Sequence, residues 1–184
     1  MRNRHLIVLP AGDLASRWEV MLNRNLAASS VLLCVLGTAV SAQSQVLIAP
    51  RTISLDAAQK LASTAIEACR KGGYNVTVVV LDASGRTRVQ LHDDKAGPHT
   101  IENANRKAYT SLTFRSNTID FAKRQEGRPA PMLNNVTLGQ GGVVIKAGND
   151  IVGSVGVSGA PGGDKDQACA EAGIATIASG LTAN

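Results

Sequence analysis

Residues 74–92 read YNVTVVVLDASGRTRVQLH, and their patterning decides the fold. Tyr74 to Asp82 is rich in β-branched residues and apolar on both faces at its centre, which suits a central strand. Ala83-Ser84-Gly85 supplies the turn. Arg86 to His92 then alternates, with Val89 and Leu91 on one side and Arg88, Gln90 and His92 on the other. The segment predicts a β-hairpin whose second strand is half exposed.

Upstream, residues 43–53 read as a short extended lead. Ser54 or Asp56 can cap a helix in which Leu55, Ala58, Leu61, Ala62, Ala65, Ile66 and Cys69 recur at helical spacing, and Gly72-Gly73 ends it. Downstream of the loop HDDKAGPH, Thr100 to Phe114 predicts a second helix lined by Ile101, Ala104, Ala108 and Leu112. A third, Asn117 to Gln125, follows a cap at Ser116, and the Pro-containing stretch EGRPAPMLNN reads as a loop. GGVVIKAGNDIVGSVGVSG then predicts two strands joined at Ala147 to Asp150, with a further short strand around Val136 to Leu138. Asp166 to Leu181 closes the chain as a helix, with Ala168, Cys169, Ala172, Ile174 and Ile177 as its apolar positions. Hairpins rather than crossovers join most strands, so the expected class is α+β: a mainly antiparallel sheet with helices packed against it, in the order α-β-β-α-α-β-β-β-α.

The 184 residues, 44% of them apolar, are enough for one domain with its own core. The first 42 differ from the rest. Arg24, the apolar run Leu26 to Val40 and the small-residue exit Val40-Ser41-Ala42 form a secretory signal peptide, with translation expected to start at Met21 and cleavage after Ala42. Residues 43–184 are then a single domain, periplasmic or secreted, with no membrane association once the signal is removed. Loss of residues 1–42 takes away Arg2, Arg4, Arg17, Arg24, Asp13 and Glu19, so the net charge of +5 falls to +3. The remaining charge is scattered, which excludes nucleic-acid binding by a basic stripe. Cys69 and Cys169 could pair in an exported protein and close a long loop. Both fall on apolar helix faces, however, which favours two small, free, buried thiols.

Phosphate-loop, nucleophile-elbow, zincin and C-x-x-C motifs are absent from the sequence. Gly153, Gly156 and Gly159 have the wrong spacing for a dinucleotide fingerprint and suit close packing within a strand. Gly159 to Asp164 could offer N–H groups to an anion, but reads more simply as a tight turn held by an aspartate. The densest polar set is His92, Asp93, Asp94, Lys95, His99, Glu102 and Arg106. Gly97 and Pro98 hold His99 at the start of a helix, whose dipole opposes a cation there. A neutral imidazole ligates transition metals and haem iron, and Arg106 and Lys107 could meet ligand carboxylates. Set against this, His99 could simply cap the helix while His92 to Asp94 form a solvated loop. A metal site of His92, Asp93 and His99 matches no familiar ligand spacing.

The phrases VVVLDASGRTRVQLHDDKAGPHTIENANRKAYTSLTFRSNT, GGVVI and IVGSVGVSGAPGGDKDQACAEAGI resemble the GlcG/HbpS-like family of haem-binding and haem-degrading domains, related to the carboxy-terminal domain of PduO-type proteins. The resemblance covers residues 53–181. It implies a two-layer α/β domain with a five-stranded antiparallel sheet, homo-oligomers, and a haem or, alternatively, a corrinoid ligand. The form H-D-D-K-A-G-P-H-T adds a histidine where the family often has R-x-D-G-A-P, and GGVVI lacks the proline of GGVPI.

Together these observations predict an exported haem-binding protein acting as carrier, buffer or sensor, with slow haem degradation as a secondary activity. His99 is the expected iron ligand. His92, Arg106, Lys107 and Tyr109 complete the expected cofactor-binding set, with Leu112, Met132, Leu133 and a subunit interface as walls. One rival is an enzyme acting on a small organic acid, with His99 as acid or base and Arg106 as carboxylate anchor. The other is a corrinoid-binding or non-catalytic oligomeric accessory protein.

Overall fold

The computed structural model describes residues 49–129 and 131–182. The expected signal peptide and its cleavage point lie outside them. Helix α1 (Leu55–Lys71) is followed by β1 (Thr77–Asp82), β2 (Thr87–His92), α2 (His99–Thr113), α3 (Thr118–Gln125), β3 (Gly142–Ala147), β4 (Asp150–Ser158) and α4 (Gly163–Ala175), then a single 3-10 turn at Ala178–Gly180. Ser54 caps α1 by accepting from the Ala57 N–H at 3.3 Å, and Arg70 and Lys71 in its last turn complement the helix dipole.

The four strands form one antiparallel sheet in the order β2-β1-β4-β3. Two hairpins are joined at its centre by β1 against β4. All six residues of β1 are buried, because helices cover both faces. Val76, Val78 and Val80 pack with Val143, Ile145, Val155 and Val157 against α1 and α4. Val79 and Leu81 turn to the other face and meet Ala104 and Ala108 of α2. A Cβ on Gly156 would collide with the backbone of Ala104 and Ala108, so this glycine lets α2 lie directly on β4.

Four expectations require correction. The sheet has four strands, not five, and the element order is α-β-β-α-α-β-β-α. The segment around Val136 to Leu138 is not a strand, because the Thr137 N–H donates to Thr110 Oγ1 of α2 at 2.9 Å rather than to a ladder. The domain has three layers, not two: an apolar run such as TVVVLD needs cover on both faces. The closing helix starts at Gly163 and ends at Ala175, and it buries Asp166, Cys169, Ala170 and Gly173.

Cys69 and Cys169 are also joined, contrary to the expectation of free thiols. Their Cα atoms lie 5.5 Å apart and the disulfide bridges a sequence separation of 100. The apolar stripes of α1 and α4 pack on each other, so two buried cysteines on separate helices meet.

Candidate functional site

Of the sequence-predicted residues, His92, Asp93 and His99 lie at one end of the sheet, where β2 ends and α2 begins. Asp93 anchors this corner. Its N–H continues the ladder to Val76 O at 3.0 Å, and its buried carboxylate receives two bonds from Arg70 at the end of α1, at 3.0 and 2.8 Å. The Arg70 hydrogen bonds hold the Asp93 carboxyl below its ordinary value against the opposing effect of burial, and the same contact raises the Arg70 guanidinium. Asp93 is therefore a structural tie and not a free metal ligand. Among the described residues no group of three His, Cys, Asp or Glu side chains could hold a metal ion, so His92, Asp93 and His99 do not assemble into a mononuclear site.

The loop then turns through Gly97 and Pro98 into α2, which begins at His99, one residue earlier than expected. A Cβ on Gly97 would lie 2.8 and 2.9 Å from His99 Cε1 and Nδ1, so the exposed imidazole rests over bare backbone. Behind it, Thr100 Oγ1 donates to Gly97 O at 2.6 Å and meets Thr77 Oγ1 of β1 at 2.7 Å. Thr77 Oγ1 in turn lies 2.7 Å from His92 Nδ1. His92 and Thr77 are directly opposite in the β1–β2 register and share a face. His92 is thus tied to the core through two buried threonines, while His99, also exposed, precedes the second of them in the chain.

Arg106 lies two turns beyond His99 on the exposed face of α2, paired with Glu102 at 2.6 Å. This exposed pair is weak and can exchange partners. Lys107 is placed differently from the expected propionate ligand. It is buried, donating to Asp166 Oδ2 at 2.6 Å and to Val157 O at 2.9 Å, and so links α2 on one face of the sheet to α4 on the other. Burial raises the Asp166 carboxyl despite the opposing pull of Lys107 and of the Ala160 N–H, which it accepts at 2.9 Å. That last bond ties the Gly159 to Asp164 turn, as a held turn requires. Tyr109 is half-buried beside Leu112, flanking the small Val79–Leu81–Ala104–Ala108 cluster. Met132 and Leu133 are exposed on the loop after α3.

Cavities of about 480, 530 and 310 Å³ open on the domain. Neither His99 nor Arg106 lines any of the three; the smallest, between α1 and β2, includes His92, Leu91 and Arg70. His99 and Arg106 stand on exposed surface. Thr77, Thr100, Arg70 and the structural role of Asp93 were not singled out from sequence. The alternation in TRVQLH, which sets His92 opposite to Val89 and Leu91, was the available signal for Thr77.

The model of the family described as haem degrading protein HbpS-like matches residues 53–175. The crystal structure of a double mutant of HbpS from Streptomyces reticuli is similar over 76% of this chain and 97% of that one, at 36% identity and a TM-score of 0.69. A second HbpS structure matches at 38% identity over 75% and 99% of the two chains, with the same TM-score. The PduOC:heme complex shares the fold, at 23% identity over 68% and 95%, with a TM-score of 0.63. No curated protein matches the chain.

Proposed function

The chain belongs to the HbpS-like family of haem degrading proteins, and from that premise we propose that it is an exported, oligomeric haem-binding protein. The observation that carries the reading is the pair of exposed imidazoles, His92 and His99, at one corner, with His92 held by the buried Thr77–Thr100 pair. Imidazole nitrogen is a natural axial ligand for haem iron, and the donor set at this corner fits that group. Arg106 stands about 10 Å along the helix axis from His99 and can turn from Glu102 to a propionate. Lys107 is already committed to Asp166 and has no place in this reading.

The cavity beside His92 is small, about 310 Å³, so one wall of the ligand site has to come from a second copy or from the exposed Met132–Leu133 loop. The Cys69–Cys169 bridge supports export, since disulfides persist in oxidising compartments. A carrier, buffer or sensor role needs only reversible binding, with slow degradation secondary. No observation favours the organic-acid enzyme.

Titration of the chain lacking residues 1–42 with hemin tests the proposal. A Soret band that shifts and saturates at a fixed stoichiometry, on a species larger than a monomer by light scattering, is the expected result. Absence of saturable hemin binding rejects it.

A further inference from the structure

Three short contacts decide how the His92 ring is protonated. Gly97 O, Thr100 Oγ1, Thr77 Oγ1 and His92 Nδ1 form a row with successive separations of 2.6, 2.7 and 2.7 Å. Each contact needs one proton, and the carbonyl can supply none. Thr100 therefore donates to Gly97, Thr77 donates to Thr100, and His92 Nδ1 donates to Thr77. Any other assignment sets two lone pairs against each other at one contact. Both hydroxyls are buried, Thr77 at 0% and Thr100 at 1% exposure, so water cannot relieve that clash. In the neutral ring the lone pair is left on Nε2, on the far side from the core.

The same bond fixes the ring's orientation. One ring N–H held by the protein with the other nitrogen free is the arrangement typical of ligating imidazoles, because the held N–H sets the tautomer and the ring orientation. The His99 ring has no comparable support: among the described residues no hydrogen bond reaches it, and it lies over Gly97. His92 also ends a strand whose residues on its own side, Arg88 and Gln90, are likewise exposed. Helix α2 covers β1, β3 and β4, leaving β2 at the sheet edge open to a flat ligand, with Arg88 on the same row.

We propose that Nε2 of His92, rather than His99, is the protein's ligand to the haem iron, with Thr77 and Thr100 as positioning residues. This assignment rests on the haem-binding reading. The test compares wild-type protein with His92→Ala, His99→Ala, Thr77→Val and Thr77→Ser, each checked for fold by circular dichroism, using hemin titration and electron paramagnetic resonance. His92→Ala is expected to lose the imidazole-ligated iron signature and at least about tenfold in hemin affinity, with free imidazole restoring the signature. His99→Ala keeps both. Thr77→Val weakens hemin binding about tenfold or more, and Thr77→Ser, which retains the hydroxyl, restores it. Nitrogen-15 histidine NMR of the hemin-free protein is expected to show His92 protonated at Nδ1.

A wild-type iron signature in His92→Ala, or its loss in His99→Ala, overturns the assignment while haem binding stands. A His92 ring protonated at Nε2 alone overturns the relay. Wild-type protein that fails to bind hemin overturns the haem reading, and the iron-ligand assignment with it.

Discussion

Asp93 shows how one side chain serves the site without belonging to it. Its carboxylate, 4% exposed, is held by Arg70 from α1 and also accepts the Asp94 N–H at 2.9 Å, so it clamps the end of β2 and with it the position of His92. Because Arg70 lowers the Asp93 carboxyl below its ordinary value, this contribution to stability is present in full above the ordinary carboxylate range. It is lost as pH falls through the lowered folded value. Arg70→Ala is therefore expected to melt at a lower temperature than wild type at neutral pH, with the two melting temperatures converging in acid. Thermal melts followed across the acid range check this, and a constant gap between the two would contradict it.

At the scale of elements, α2 does two jobs. Its Ala104 and Ala108 lie on β4 through the space left by Gly156, while its Lys107 reaches past the end of the sheet to Asp166 at the start of α4. The pair is almost wholly buried, with 6% and 4% side-chain exposure. Removing one partner strands a buried charge, so Lys107→Met is expected to destabilise the domain by about 3–5 kcal/mol. The double variant Lys107→Met with Asp166→Leu removes both charges and is expected to recover much of that loss. Urea unfolding of the two variants measures the difference. Lys107 was read from the sequence as a free cation beside Arg106. Adjacent helix positions point about 100° apart, however, and only packing reveals that one of them turns inward to a carboxylate 59 residues away.

Over the whole molecule, the disulfide joins the helix before the sheet to the helix after it. Constraining a loop of this length restricts the unfolded chain, a stabilisation of about 4–5 kcal/mol in the chain-entropy account. The double variant Cys69→Ala with Cys169→Ala should unfold at lower denaturant, by about 2–5 kcal/mol, and reduction of the wild type should move it in the same direction. An unchanged midpoint on reduction would contradict a bond that matters to stability.

The helices, the two hairpins and the mainly antiparallel α+β class were legible because apolar periodicity, turn residues and caps are local properties of the chain. So was the nearness of the two histidines, which stand with Gly97 and Pro98 within eight residues. The continuous apolar run of β1 also carried the third layer, although the resemblance implied two. What the chain alone determined was which segments become helix or strand and which faces are apolar. Only the tertiary structure decided that Cys69 meets Cys169, that Lys107 meets Asp166, that Thr137 bonds α2 instead of forming a fifth strand, and that Thr77 and Thr100 orient His92. Each of these joins residues distant in sequence through packing of whole elements, and no local pattern specifies which of two apolar stripes a third will meet.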